Sequence, residues 1–156
     1  MPGCNAWTAP VKEFANNGSA TVIGLLADAN IEGHVARLAT RMQAEEWKEF
    51  WDYLDLRCLV FHDVGLHSAD PDSVVWQCCQ DNQLLLLTDN RNNKGPQSLE
   101  ATIRSGNTSQ SLPVFTIGDA RSILVGNEYA DRVIDRLFRY LFELKNIRGS
   151  GRLFLP

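Results

Sequence analysis

The stretch LLLLTDNRNN, residues 84–93, passes directly from a run of leucines into aspartate, asparagine and arginine. Four leucines and a threonine predict a strand that is buried in the core. Asp89 follows at the carboxyl end of that strand, with Asn90 and Arg91 behind it. Aspartate and asparagine favour turns, so a simple strand-ending loop is one interpretation. The other is a binding site, because ligands of open α/β sheets bind beyond the carboxyl ends of the strands.

Strand and helix patterns alternate along the chain on both sides of this stretch. Apolar runs predict strands at residues 21–27, 57–63, 83–88 and 112–117. Apolar periodicity and capping residues predict helices within 28–42, 44–56, 71–82, 96–106 and 129–147, the first of them capped by Asn30. We therefore expect an α/β fold: a single three-layer domain over residues 21–156, with a mostly parallel sheet of about four strands flanked by helices. Residues 1–20 lack such a pattern and are expected to form a flexible lead-in.

The composition is that of an ordinary globular protein and limits the classes of function. The chain has 156 residues, of which 44% are hydrophobic and 22% charged, and its net charge is -4. This charge argues against binding of nucleic acid through bulk positive charge, but a nuclease could still meet phosphates through cations held by carboxylates. The four cysteines lack the spacing of a zinc site or a disulfide framework. Without a leader pattern or a long apolar run, we expect a cytoplasmic protein that does not cross a membrane.

Three aspartates fall at comparable places in the predicted topology. Asp28 ends the first strand, Asp89 ends the third, and Asp72 opens the helix that leads into the third. A crossover helix runs antiparallel to the sheet, so its first turn lies at the same edge as the strand ends. We expect the three carboxylates to converge there if the first and third strands are neighbours. Carboxylates in one place repel each other unless a cation compensates, and hard oxygen ligands suit Mg²⁺ or Mn²⁺.

The residues around these aspartates are candidate ligands for a phosphate-containing substrate. Asn30 and Asn90 could supply neutral oxygens or contact ribose and phosphate, and Arg91 and Lys94 could neutralise phosphate charge. Asp119, after the fourth strand, is a further candidate metal ligand. Such a site can polarise a phosphoryl oxygen and activate water for attack on a phosphodiester. Each aspartate also has a purely structural interpretation, as a helix cap, a first-turn residue or a turn residue.

Two segments, LLADANIEGHV (25–35) and GLHSADPDSVVWQCCQDNQLLLLTDNR (65–91), resemble the short stand-alone PIN-like domains of bacteria. The shared pattern is a strand that ends in Asp-x-Asn, a Gly-Leu loop, an aspartate that opens a helix, and a strand that ends in Thr-Asp. The resemblance covers roughly residues 22–92. It implies a PIN-like fold and a metal-dependent ribonuclease in which Asp28, Asp72 and Asp89 are catalytic and hold Mg²⁺ or Mn²⁺. The family often has a further acidic residue after the last aspartate, where this chain has residues 90–93, Asn-Arg-Asn-Asn.

Two functions from different classes remain open at this point. The first is a divalent-metal-dependent ribonuclease with RNA as its substrate. The second is a catalytically inactive PIN-like binding module, as one half of a toxin–antitoxin-type pair, and the absent fourth acidic residue motivates it. An antitoxin-like protein and a second copy of the chain are the candidate protein partners. A phosphatase with Asp28 as nucleophile is a weaker alternative, because such enzymes usually carry a second carboxylate where this chain has Asn30.

Overall fold

A central sheet of parallel strands is built from the apolar runs of the sequence. The computed structural model describes residues 24–156. The strands are β1 (Gly24–Ala27), β2 (Arg57–Leu59), β3 (Leu84–Thr88), β4 (Val114–Ile117) and β5 (Arg152–Leu155). Every pairing is parallel, and the order across the sheet is β2-β1-β3-β4-β5. The predicted α/β class is confirmed, and the sheet has five strands where about four were expected.

Helices connect the strands and cover both faces of the sheet. They are α1 (Glu32–Met42), α2 (Lys48–Leu54), α3 (Asp72–Asp81), α4 (Leu99–Gly106), α5 (Asn127–Phe142) and α6 (Leu144–Ile147). Two separate buried clusters result: α1 and α5 pack on one face, and α3 and α4 pack on the other. This is the three-layer arrangement expected when every crossover between parallel strands is a helix. Within residues 24–156, no helix combines the length and apolarity that crossing a membrane requires.

The leucine run of β3 is buried on both sides because helices lie on both sides. Leu85 and Leu87 belong to the cluster under α1 and α5, whereas Leu84 and Leu86 belong to the cluster under α3 and α4. Successive side chains of a strand point to opposite faces, so an uninterrupted apolar run is what a central parallel strand requires. Thr88, the last residue of the strand, is equally buried. The polar residues that follow therefore emerge from the core at one edge of the sheet.

The fifth strand comes from the last residues of the chain, which had not been assigned to any element. Residues 152–155 pair in register with β4, from Val114 to Ile117. The strand lies at the edge of the sheet, and Phe154 is 53% exposed while Leu155 is buried. An edge strand is partly exposed and therefore does not need a continuous apolar run. Without such a run, the sequence pattern did not reveal β5.

Several predicted boundaries were wrong by a few residues. The second predicted strand, 57–63, ends at Leu59, and Phe61–Val64 form a 3-10 turn instead. The predicted helix 44–56 is shortened to α2, and the predicted helix 129–147 begins at Asn127 and is interrupted after Phe142. Asn30 does not cap α1, because it lies inside a short 3-10 turn and Ile31 occupies the cap position. The predicted lead-in, 1–20, and the first residues of the predicted strand 21–27 lie outside the described residues.

Candidate active site

The path of the chain through the sheet reverses between β1 and β3. From β1 the chain runs outward to β2 at one edge, and then returns to β3 on the other side of β1. In open α/β proteins, the crevice that binds ligands lies at such a reversal, beyond the carboxyl ends of the two central strands. The register pairs Ala27 with Leu87, so Asp28 and Thr88 emerge side by side at this crevice.

A short hydrogen bond fixes the carboxylate of Asp28 at the strand end. Thr88 Oγ1 donates to Asp28 Oδ2 at 2.6 Å, and Thr88 Oγ1 also accepts a hydrogen bond from the backbone N–H of Asn90 at 2.9 Å. The backbone N–H of Asp28 donates to the carbonyl of Leu87 at 2.9 Å. Thr88 is fully buried, so its hydroxyl is held in place by the surrounding core. The Asp28 carboxylate that it contacts is half-buried.

Asp72 joins the same network from the first turn of α3. Pro71 occupies the cap position of this helix, with its extended backbone leading into Asp72. Asn90 Nδ2 donates to Asp72 Oδ2 at 3.3 Å, and Asn90 Oδ1 accepts from the backbone N–H of Asn92 at 2.8 Å. The side chain of Asn90 is thus engaged within the protein at both ends. Its role in this geometry is to hold the Asp72 carboxylate at the strand edge.

Electrostatics connect the three predicted aspartates. Burial raises the pKa of Asp28 above its ordinary value, and the negative charges of Asp72 and Asp89 raise it further. The hydrogen bonds from Thr88 and from the backbone N–H of Ala29 act in the opposite direction, because they stabilise the ionised form. The ionised form of Asp28 is therefore less favourable than that of a free aspartate, and positive charge near the crevice would offset this. Carboxyl groups with perturbed pKa values occur often at functional sites, which makes Asp28 a candidate.

The donors at the crevice suit a hard divalent cation by their chemistry, since all of them are oxygens. Among residues 24–156, no group of three or more His, Cys, Asp or Glu side chains is arranged to hold a metal ion. Mg²⁺ does not require such a group, because it is commonly bound by one or two carboxylates and completes its shell with water and substrate phosphates. Asp28 and Asp72, with Asp89 in electrostatic range, fit this open donor set.

The other predicted site residues do not contact Asp28 or Asp72 in the described hydrogen bonds. Asn30 is exposed in the 3-10 turn after Asp28, and Lys94 is exposed in the loop after β3. Arg91 donates to the carbonyl of Gly118 at 3.0 Å, beyond β4 and away from Asp28. Asp119 accepts a hydrogen bond from the Ser122 hydroxyl and is not among the charges that raise the pKa of Asp28.

Two residues to which the sequence pattern assigned no role in the site contribute to it. Thr88 was part of the Thr-Asp strand end in the sequence pattern, but its hydroxyl was not predicted to bind Asp28. Arg152 could not be predicted to take part, because it lies in β5, far along the chain. Its Nη1 donates to the carbonyl of Asn90 at 2.9 Å, and its Nε pairs with Glu100 at 3.0 Å. Arg152 therefore anchors the loop that carries Asn90.

Comparison of the chain with protein-family models, with curated proteins and with solved structures gave no match. The fold class accordingly rests on the sheet topology described above. The functional argument rests on the residues at the carboxyl edge of β1 and β3, and on what their chemistry allows.

Proposed function

We propose that this protein is a PIN-like ribonuclease that depends on Mg²⁺ or Mn²⁺ and hydrolyses phosphodiesters at the carboxyl edge of β1 and β3. One observation carries the proposal: Asp28, held by Thr88 at the switch point of a parallel sheet, has a pKa raised by burial and by the charges of Asp72 and Asp89. Burial and mutual repulsion make the ionised carboxylates unfavourable in the absence of positive charge. A bound cation would offset that cost. RNA as the substrate rests on the resemblance of residues 22–92 to PIN-like domains.

Each residue has a distinct role in this proposal. Asp28 and Asp72 hold the cation, and Asp89 adds negative charge beside them. When bound, a divalent cation polarises a phosphoryl oxygen and lowers the pKa of water. Thr88 keeps the Asp28 carboxylate in one orientation, and Asn90 does the same for Asp72. Preorientation matters because a carboxylate that is already in place loses little further freedom when the cation and substrate arrive.

The test compares metal binding and RNA cleavage in three proteins. Wild type, Asp28→Asn and Asp119→Asn are titrated calorimetrically with Mn²⁺, and the same proteins are incubated with a fluorescent RNA oligonucleotide. Asp119→Asn is the matched control, because Asp119 also follows a central strand but is bonded to Ser122. We expect binding and cleavage to be lost in Asp28→Asn and retained in Asp119→Asn. The proposal is wrong if folded Asp28→Asn binds Mn²⁺ and cleaves RNA as the wild type does.

A second candidate function is a PIN-like module that binds without turnover, as a partner in a toxin–antitoxin-type pair. It is favoured by the lack of a three-ligand metal group among residues 24–156, and by residues 90–93, which carry amides and an arginine where a further carboxylate is often found. Single-turnover assays with excess protein and Mn²⁺ separate the two functions. RNA binding without any cleavage favours the non-catalytic module. Metal-dependent cleavage that is abolished in Asp28→Asn would exclude this module.

A further inference from the structure

An open groove of about 750 Å³ lies between α4 and β5 and has no role in the function proposed so far. We call it the α4–β5 groove. Its size is within the range of sites that hold small ligands. The residues that matter for its chemistry are Arg91, Glu100, Arg104, Asn107, Arg152 and Phe154.

The α4–β5 groove is locally positive on a chain whose net charge is -4. Three arginines line it, and Glu100 is paired with one of them, Arg152. Arg91 and Arg104 are exposed, and neither forms an ion pair with any residue in 24–156. Two arginines without counter-charges at the rim of a groove favour an anionic ligand, and guanidinium groups suit phosphate in particular.

Two buried polar atoms of groove residues lack hydrogen-bond partners within the described part of the chain. They are Nη2 of Arg152, a donor, and Oδ1 of Asn107, an acceptor. The side chain of Arg152 is only 8% exposed. Unpaired buried polar groups are rare in folded proteins and require an explanation. Both atoms are inaccessible in this structure, so a ligand that carries an acceptor and a donor could pair with them only if neighbouring side chains move.

Phe154 gives the groove an aromatic surface. It is 53% exposed on the edge strand, and the guanidinium carbon of Arg91 lies 6.0 Å from its ring centroid. Exposed aromatic side chains beside positive charge are the usual platform for single-stranded nucleic acids, whose bases stack on the ring while their phosphates meet the charges. The donor and acceptor beneath the groove match the mixed donors and acceptors on the edge of a nucleobase.

Asn90 links the groove to the candidate active site through hydrogen bonds to one residue of each. The carbonyl of Asn90 accepts a hydrogen bond from Arg152, and the side-chain amide of Asn90 donates to Asp72. Asn90 thus lies between Asp72 and Arg152, which lines the groove, and this places the groove on the Asn90 side of the candidate active site.

We propose that the α4–β5 groove binds one nucleotide of single-stranded RNA beside the scissile phosphate. The base stacks on Phe154, its polar edge meets Arg152 and Asn107, and the backbone phosphate contacts Arg91 and Arg104. This inference rests on the proposed function for the identity of the strand as RNA. Its own evidence, however, is the charge, the unpaired atoms and the aromatic surface of the groove, which are separate from the aspartates.

The experiment measures binding without cleavage. A fluorescent single-stranded RNA of eight nucleotides is titrated with the full chain in EDTA, and anisotropy gives the Kd. We expect Phe154→Ala to weaken binding by about 5- to 100-fold, the range for loss of one stacking contact. Arg104→Gln is expected to weaken binding and to reduce its salt dependence. The matched controls, Phe142→Ala and Arg136→Gln, change an exposed aromatic and an exposed arginine of α5 and should leave the Kd unchanged.

Each outcome decides the inference. It is overturned if Phe154→Ala and Arg104→Gln bind as the controls do, or if an RNA duplex binds more tightly than the single strand. Asp28→Asn is expected to retain binding in EDTA, because the groove does not include Asp28. If RNA binding depends on the groove but no Mn²⁺-dependent cleavage is found, the proposed nuclease function is wrong and the proposed RNA-binding groove is retained. The failures of the two proposals are therefore distinguishable.

Discussion

Thr88 and Asp28 are joined by a hydrogen bond of 2.6 Å across two neighbouring parallel strands, with the hydroxyl donating to the carboxylate. The threonine continues a buried strand and at the same time supplies a polar group at its end. The bond links the last residue of β3 to the first residue beyond β1. It is thus the point at which the core of the protein meets the candidate active site.

Thr88→Val keeps the shape of the side chain and removes the hydroxyl. The hydrogen bond from Thr88 lowers the pKa of Asp28, so its loss should raise that pKa further, as measured by NMR titration of the carboxyl carbon. Stability should fall by about 1–3 kcal/mol, because the backbone N–H of Asn90 and a carboxylate oxygen lose their partner.

Thr116→Val is the matched control for this change. Thr116 is the register partner of Thr88 on β4 and is equally buried, but its hydroxyl is bonded to Arg152. We expect a comparable loss of stability without a change in the pKa of Asp28. An equal rise in that pKa in both variants would mean that general loosening of the core, and not the Thr88 hydroxyl, controls Asp28.

Asp28→Asn should make the metal-free protein more stable at pH 7. The folded pKa of Asp28 is raised above its ordinary 3.8, so between these two values the folded state binds more protons than the unfolded state. The free energy of unfolding of the wild type therefore falls as pH rises between these two pKa values. At higher pH it stays at the reduced value. The variant has no carboxyl group at this position to titrate. Chemical denaturation in EDTA should give a stability difference that is present at pH 7 and disappears below pH 3.8. A variant that is less stable at pH 7 would contradict the burial argument.

Asp131→Asn should destabilise the protein at neutral pH. Arg41 contacts the Asp131 carboxylate through Nε at 2.8 Å and Nη2 at 3.0 Å, and Trp47 Nε1 donates to it at 3.0 Å, so α1 and the segment before α2 are joined to α5. The hydrogen bond from Arg41 is the main cause that lowers the pKa of Asp131. Its stabilisation is present above the ordinary pKa of 3.8 and is lost as pH falls through the lowered folded value.

Denaturation curves between pH 2 and pH 7 test this dependence. The difference between the wild type and Asp131→Asn should shrink as the solution is acidified. Asp135→Asn serves as a control on the same helix, because Asp135 forms an exposed salt bridge with Arg139, and such pairs contribute little to stability. Equal effects of the two substitutions at pH 7 would contradict the assignment.

Two glycine-to-alanine changes in helices should have opposite effects. A Cβ at Gly106 would lie 2.8 Å from Cζ3 of the buried Trp76 ring, so Gly106→Ala should cost about 1–3 kcal/mol of stability through overpacking. A Cβ at Gly33 would meet no atom of residues 24–156 within 4 Å, so Gly33→Ala should stabilise by about 0.4–1 kcal/mol. Thermal unfolding of both variants measures the signs. Similar values for the two would show that Trp76 moves freely to accommodate the methyl group.

Much of the fold could be predicted because its information is local. The leucine run and the alternation of strands with helices were sufficient to predict a parallel sheet between two helical layers. The errors lie where local patterns are weakest. β5 was missed because an edge strand with an exposed phenylalanine has no continuous apolar run. β2 was predicted too long because apolar residue 60 precedes a 3-10 turn and apolar residue 61 begins it.

The candidate site was predictable in part for a similar reason. Asp28, Asp72 and Asp89 each follow or open a regular element, so their positions along the chain place them at one edge of a parallel sheet. The direction of Arg91 was not predictable, because it depends on the carbonyl of Gly118, just after β4, and on the Phe154 ring in β5. Side-chain direction in a loop is decided by neighbours that local sequence does not contain.

The sequence by itself determined which residues form buried strands and which aspartates end or precede them, because hydrophobic period and turn chemistry act between residues close in the chain. Only the tertiary structure decided that Thr88 holds Asp28 and that Arg152 holds the loop of Asn90. These partners are 60 and 62 residues apart, and their meeting depends on the strand order β2-β1-β3-β4-β5. Strand order follows from how helical layers pack on the whole sheet, and no local pattern encodes it.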